Sequence, residues 1–271
     1  MRSAYITAAR AELLADRLSN RDRSILLDLA RVRVLSARQL DHLHFADLAP
    51  GSRERTRRRV MARLVEHRLA ARLERTIGGA RSGSAGYVFS LDVAAQRVLP
   101  LLNVGEYMGP PSGRTRAPET PGTLFLAHAL DVAELFVALK LHEHAGDLTL
   151  AQYAVESAAW HPDRQSGLLK PDAYARIRCG QIEDCWWVEV DRATESLTTL
   201  KRKLRSYVDF ATQGSYGPDG VMPRVLVTVP HDHRLAGVRA VVGDLPAPAS
   251  ELIISSLYDQ AVPLMIDTLR A

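Results

Sequence analysis

The amino-acid sequence predicts an α/β chain in two parts. Three observations lead there. Residues 1–102 carry a charged helical arm, three further helical periodicities and a short basic hairpin. Residues 103–122 are rich in Gly and Pro and have no period, which marks a linker. Residues 123–271 then run helix, three strands, helix, strand, helix, strand, an order that builds a mixed central sheet covered by helices.

Charge divides along the same line. The chain has 271 residues and a net charge of +4. Residues 1–119 hold 21 Arg, no Lys and 12 acids, a net of +9, whereas residues 120–271 hold 14 bases and 19 acids, a net of −5. A basic part joined to an acidic one suggests two tasks, the first on a polyanion. At 46% hydrophobic and 24% charged, the composition is that of an ordinary folded protein. No apolar run approaches the roughly 18 residues that span a bilayer. The first residues, "MRSAYITAARAELLADRL", mix charge into apolar positions, unlike a secretory signal. A cytoplasmic chain without a membrane partner is expected.

The first part is read element by element. "SNRDRSILLDLARVRV" offers Ser19 and Asn20 as caps, with Ile25, Leu26, Leu29 and Val32 at helical spacing. "LSARQLDHLHF" has Ser36 as cap and Leu40, Leu43 and Phe45 on its apolar side. After "APGS" a third helix begins near Ser52. At about 100° per residue, Thr56, Val60 and Leu64 form its inner stripe. Arg55, Arg58, Arg59 and Ala62 lie opposite, with Glu66 behind them, and Arg53 is a further candidate for contact with DNA. Guanidinium groups suit forked bonds with phosphate and with guanine edges. Strand-like pieces at Ala71–Thr76 and Tyr87–Leu91 flank a Gly/Ser/Arg loop, placing Arg75 and Arg81 near phosphate. Three helices and then a basic hairpin describe a winged helix-turn-helix that binds double-stranded DNA. Such domains often act as dimers on palindromes, so a homodimer is expected. A merely solvated arginine face is the plainer reading of the third helix alone.

The second part opens on an apolar helix at 123–146, in which His128, Asp131 and Glu134 are the polar exceptions. "PDAYARIRC" and "CWWVEVDRA" read as a strand pair joined by "GQIED". "SLTTLKRKLRSYVDFA" is amphipathic, with Leu197, Leu200, Leu204, Tyr207 and Ala211 inward. "PRVLVTVP" is an apolar strand of the kind covered on both faces. The two cysteines, Cys179 and Cys185, flank the turn and could face each other across it, and they cannot build a zinc site alone. "HDH" at 231–233 reads as a polar loop.

Chemistry concentrates in "KPDAYARIRCGQIEDCWWVEVDRATES". Period-two alternation puts Trp187, Glu189 and Asp191 on one face, the two carboxylates about 7 Å apart. If the hairpin register sets Asp172 against Glu189 or Asp191, three acids converge. Such acids repel unless a cation or base neutralises them, and Mg²⁺ or Mn²⁺ would suit them. A structural salt-bridge network with Arg176, Arg192 or Lys201 is the alternative.

"AHALDVAEL", "LKPDAY" and "WWVEVDRATESLTTLKRKLRSY", behind the basic helix and hairpin, resemble the replication-relaxation family of plasmids and other mobile elements. The resemblance extends from Arg21 to Val229. It implies a second domain similar to the PD-(D/E)xK nuclease superfamily, with Asp172 as first acid and Glu189 as second. Asp191 stands where that superfamily usually has lysine. Some nucleases of this fold draw the lysine from the next helix, so Lys201 and Lys203 become candidates, as does Lys170 from the preceding loop. Glu134 is a further candidate metal ligand beside Asp172 and Glu189. Three functions stay open, in this order: a sequence-directed duplex-binding protein of plasmid replication or transfer, a metal-dependent endonuclease or nickase with a displaced lysine, and a protein–protein adaptor.

Overall fold

The computed structural model of the chain describes residues 6–73, 86–102, 122–163 and 167–270. They form two compact units, Met1–Val137 and Ala138–Ala271. All of the expected linker at 103–122 except Gly122, and the hairpin tip at 74–85, lie outside the described residues.

The first unit starts with α1 (Ala8–Arg17) and α2 (Asn20–Val32). Ser19, not Asn20, caps α2, in a reciprocal box with Asp22. A short β1 (Val34–Ser36) leads into α3 (Ala37–His44), which Ser36 and Gln39 cap in the same way. The third basic helix, α4 (Pro50–Glu66), begins two residues before the expected Ser52, with Pro50 in its first turn. Strands β2 (Ala70–Arg72) and β3 (Val88–Leu91) complete an antiparallel sheet in the order β1-β3-β2. The unit closes with α5 (Ala95–Val98) and a 3₁₀ turn, Leu99–Leu102.

The inner stripe of α4 differs from the expected one. Arg57, Val60, Met61 and Leu64 are buried, and Thr56 is only half covered. Arg57 is not part of the expected stripe, yet it lies inside it, its guanidinium Nε meeting Asp41 Oδ1 of α3 at 2.9 Å. A paired arginine can therefore sit where an unpaired one could not.

The second unit shares α6 (Thr123–Ala145) with the first, because the division falls inside that helix. Leu126, Ala129 and Leu130 pack with Val34, Leu73 and Val88, so the first half of a helix assigned wholly to the second domain counts with the first. Strands β4 (Thr149–Val155), β5 (His161–Pro162), β6 (Leu168–Leu169), β7 (Ala173–Cys179) and β8 (Ile182–Val190) follow. Then come α7 (Leu197–Thr212), β9 (Arg224–Val229), α8 (Asp232–Gly243), α9 (Ala249–Leu252), β10 (Ile253–Leu257) and α10 (Ala261–Arg270). The five-stranded sheet has the order β10-β9-β8-β7-β4. It is mixed, as expected: β4, β7 and β8 are antiparallel, and β8, β9 and β10 are parallel.

Strand parity decides what faces α7. Tyr174 pairs with Trp187 across β7 and β8, and both join Val225, Val227, Leu204, Tyr207 and Val238 in one apolar layer under α7 and α8. Helix α10, which the sequence reading passed over, packs against β7, β8 and β10. The β7–β8 turn is shorter than the expected "GQIED". Cys179 pairs with Ile182, leaving only Gly180 and Gln181, with Gly180 at φ +61°. This register sets Cys185 opposite Arg176, so the cysteines do not face each other, and both are free thiols. The "HDH" loop is instead a helix start: His231 Nδ1 accepts from Arg234 N at 3.2 Å.

Asp22 ties three parts of the first unit together. Its carboxylate accepts from Ser19 N at 3.0 Å and from Ser19 Oγ at 2.7 Å. Arg63 Nη2 of α4 lies 2.6 and 2.7 Å from its two oxygens. Asp22→Ala should cost about 2 kcal/mol, combining a lost cap with a charged hydrogen bond. Asp22→Asn should recover roughly half of that. Urea unfolding of the three proteins checks this, and equal midpoints would show that the carboxylate is dispensable.

Candidate functional site

The end of β8 and the start of β7 meet beneath α7. Asp172 N donates to Val188 O at 2.9 Å, which sets Asp172 beside Glu189. Asp172 Oδ2 accepts from Val190 N at 2.8 Å. Its Oδ1 lies 3.7 Å from Lys203 Nζ. The same ammonium is ion-paired with Glu189 Oε2, and Tyr207 donates its hydroxyl to Glu189 Oε1. Lys203 and Tyr207 stand four residues apart on α7, one turn, so a single helix face delivers both to the acid. Ser196 fixes where that helix starts, its Oγ accepting from Thr199 N at 3.1 Å.

Burial controls the electrostatics. The Glu189 side chain is only 3% exposed. Burial pushes its carboxyl up to about 8, the charge of Asp172 pushes the same way, and Lys203 and Tyr207 pull it back. Burial alone would lower the Lys203 ammonium, but the carboxylates of Glu189 and Asp172 outweigh it and hold the group above its ordinary value. Burial, with the charge of Glu189, drives the Tyr207 phenol well up, so it stays a donor.

The other candidate residues lie elsewhere. Asp191 belongs to a separate ion pair: its Oδ2 meets Arg234 Nε at 2.6 Å and its Oδ1 accepts from Ala193 N at 2.8 Å. Strand β8 ends at Val190 and Ala193 has φ +57°, so the parity that predicts a shared face stops one residue too early. Lys201 Nζ reaches Asp244 at 3.2 Å. Lys170 Nζ lies 5.0 Å from the centre of the Trp160 ring. Glu134 accepts from Gln39 Nε2 at 2.7 Å inside the first unit. Among the described residues, no three His, Cys, Asp or Glu side chains gather as a metal cluster would require. Asp172 and Glu189 are thus a two-carboxylate centre with Lys203 against both. Tyr207 was legible only as an inward residue. The signal that marks it is its place one turn beyond Lys203.

On α4, Arg55, Arg58 and Arg59 are exposed. Arg58 is paired with Glu54. Arg55 and Arg59 have no hydrogen bond or ion pair with another described residue. Arg53 is partly buried, its Nη2 held 3.2 Å from both Ala46 O and Leu48 O. Arg75 and Arg81 lie outside the described residues.

Glu189 gives the site a pH signature. Burial pushes its carboxyl up to about 8, against an ordinary value of 4.5. The stability that follows is fully present below the lower value and is lost as pH rises through the higher one. Glu189→Gln keeps the shape and cannot ionise. Its urea midpoint should fall less than that of wild type between pH 5 and pH 8, and parallel profiles would remove the assignment.

Comparison with curated proteins and with solved structures returned no match. No described helix is long and apolar enough to cross a membrane. The family model for replication-relaxation proteins matches residues 26–225, a stretch that includes α4, Asp172, Glu189 and Lys203. The chain belongs to the replication-relaxation family.

Proposed function

We propose that the chain is a sequence-directed double-stranded DNA-binding protein acting in the replication or transfer of a plasmid or other mobile element. One observation carries this reading: the outer face of α4 bears Arg55, Arg58 and Arg59, two of them free of acidic partners. The order α2, β1, α3, α4, β2, β3 agrees with a winged helix-turn-helix, in which α4 would enter the major groove. Arg53 has a supporting part here, since it holds the 46–48 loop instead of facing outward. A homodimer on a palindromic site is the assembly this reading favours.

The double variant Arg55→Ala/Arg59→Ala should bind duplex about tenfold more weakly or worse at low salt, and its salt slope should be smaller by about two. Fluorescence anisotropy over a salt series measures both. Affinity and slope like those of wild type would take the interface off α4.

A second reading, metal-dependent cleavage of a phosphodiester by the second unit, is favoured by the place of Lys203. The element order α6, β4, β7, β8, α7, β9 agrees with the PD-(D/E)xK plan. In that plan Asp172 and Glu189 are the acids, and Lys203 supplies from α7 the charge that Asp191 cannot. Asp172 and Glu189 would hold one Mg²⁺ or Mn²⁺, which takes one or two carboxylates plus water and phosphate oxygens. When bound, such an ion supplies a polarised phosphate and an activated water. Lys203 would turn from Glu189 toward the phosphate, and Tyr207 would keep the carboxylate oriented. Asp191 and Lys201 have no part, being engaged by Arg234 and Asp244.

Supercoiled plasmid incubated with Mn²⁺ tests this. Nicking by wild type that drops at least a hundredfold in Glu189→Gln and in Lys203→Met is expected, since each group stabilises charge in the transition state. No nicking by wild type, with duplex binding intact, would leave the acid centre as a structural remnant.

A further inference from the structure

Trp160 is the one tryptophan of three that is open to solvent. It is 40% exposed, whereas Trp186 and Trp187 are fully buried. Its place is set from both sides. The turn at Glu156–Ala158 is tied to the acid centre, Glu156 N donating to Asp172 O at 3.2 Å. Ala159 next to it is buried under α7, which turns Trp160 outward. His161, the following residue, lies 5.9 Å from Trp187 and 5.7 Å from Phe210, ring centre to ring centre. Trp187 in turn lies 5.5 Å from Tyr207, the rings tilted by 42°, and Tyr207 is the residue bonded to Glu189.

Lys170 adds a charge. Its Nζ sits 5.0 Å from the Trp160 ring centre. It precedes Asp172 by two residues, so their Cα atoms are within about 7 Å. The exposed ammonium of Lys170 thus lies over one face of the open indole, on the stretch that leads into Asp172. An indole face offers stacking to any base, and an ammonium offers a counter-charge to phosphate. Bases within a duplex are already stacked on both faces and cannot accept the indole.

We propose that Trp160 and Lys170 form a subsite for an unpaired nucleotide of a DNA strand that enters the Asp172–Glu189–Lys203 centre. The indole stacks one base and the ammonium meets the neighbouring phosphate. The proposal rests on the second reading above and narrows it: the strand presented to the acid centre is single-stranded or locally opened, while α4 engages duplex.

The test is intrinsic tryptophan fluorescence of the full chain, titrated without metal by a short oligo(dT) and, separately, by a duplex. Oligo(dT) should quench the emission, and the quench should vanish in Trp160→Phe. Trp160→Ala should bind labelled oligo(dT) about tenfold more weakly, as loss of one stacked base implies, and should bind duplex as wild type does. Lys170→Ala, a change at an exposed site, should weaken oligo(dT) binding and lower its salt slope by about one. Absence of quenching, equal quenching by duplex, or unchanged oligo(dT) affinity in Trp160→Ala would each overturn the subsite. Nicking is read apart from this binding. Plasmid nicking without the quench removes the subsite alone, and the quench without nicking removes the cleavage reading alone.

Discussion

A carboxylate enclosed by an apolar layer has to be met by a positive charge, or it does not ionise. The second unit is arranged around that constraint. Glu189 lies on the same side of the sheet as Trp187 and Tyr174, under a helix whose other inward residues are Leu200, Leu204 and Val208. Lys203 and Tyr207 bring an ammonium and a hydroxyl to its two oxygens. The sheet sets the acid, the helix sets the counter-charge, and the phase of α7 against β8 decides whether they meet. Asp172 completes the arrangement from the neighbouring strand, its second oxygen committed to the backbone of Val190.

The first unit solves a related problem differently. Its arginines are sorted by whether an acid answers them. Arg57 and Arg63 have Asp41 and Asp22 and serve the fold. Arg53 has backbone carbonyls. What is left on the outer face of α4 is surplus charge, and surplus charge is what a polyanion can recruit. A count of arginines therefore overstates the charge left for the proposed interface, and the spatial position of Asp22 and Asp41 corrects it.

Much of this was legible in the sequence, and the failures have causes. The caps at Ser19 and Ser36, the strand pair around residue 180 and the inner face of α7 follow from local chemistry and periodicity. The mixed sheet follows from element order. The face of α4 was off by one position, because a buried arginine looks like a surface residue until its partner is known. Asp191 was joined to Glu189 by strand parity, but the strand stops at Val190 and Arg234 claims the side chain. The choice between Lys201 and Lys203 was open for the same reason: both flank one helix, and only the packing angle of α7 on the sheet separates them. Asp244 answers the first, Glu189 the second. The helix at Ala261–Arg270 was lost because the reading ended at the last strand.

The two-residue turn between Cys179 and Ile182 lies at the opposite end of β8 from Glu189, yet it acts as a ruler for it. Surface turns ordinarily accept extra residues at little cost. Here an inserted residue is either taken up by a longer loop or a bulge, or it slips the pairing by one. A slip turns every side chain of the strand over. Glu189 would then face the layer under α10 and Val188 would face Lys203, leaving the ammonium with no carboxylate on β8. The length of a remote loop is thus part of the chemistry of the site.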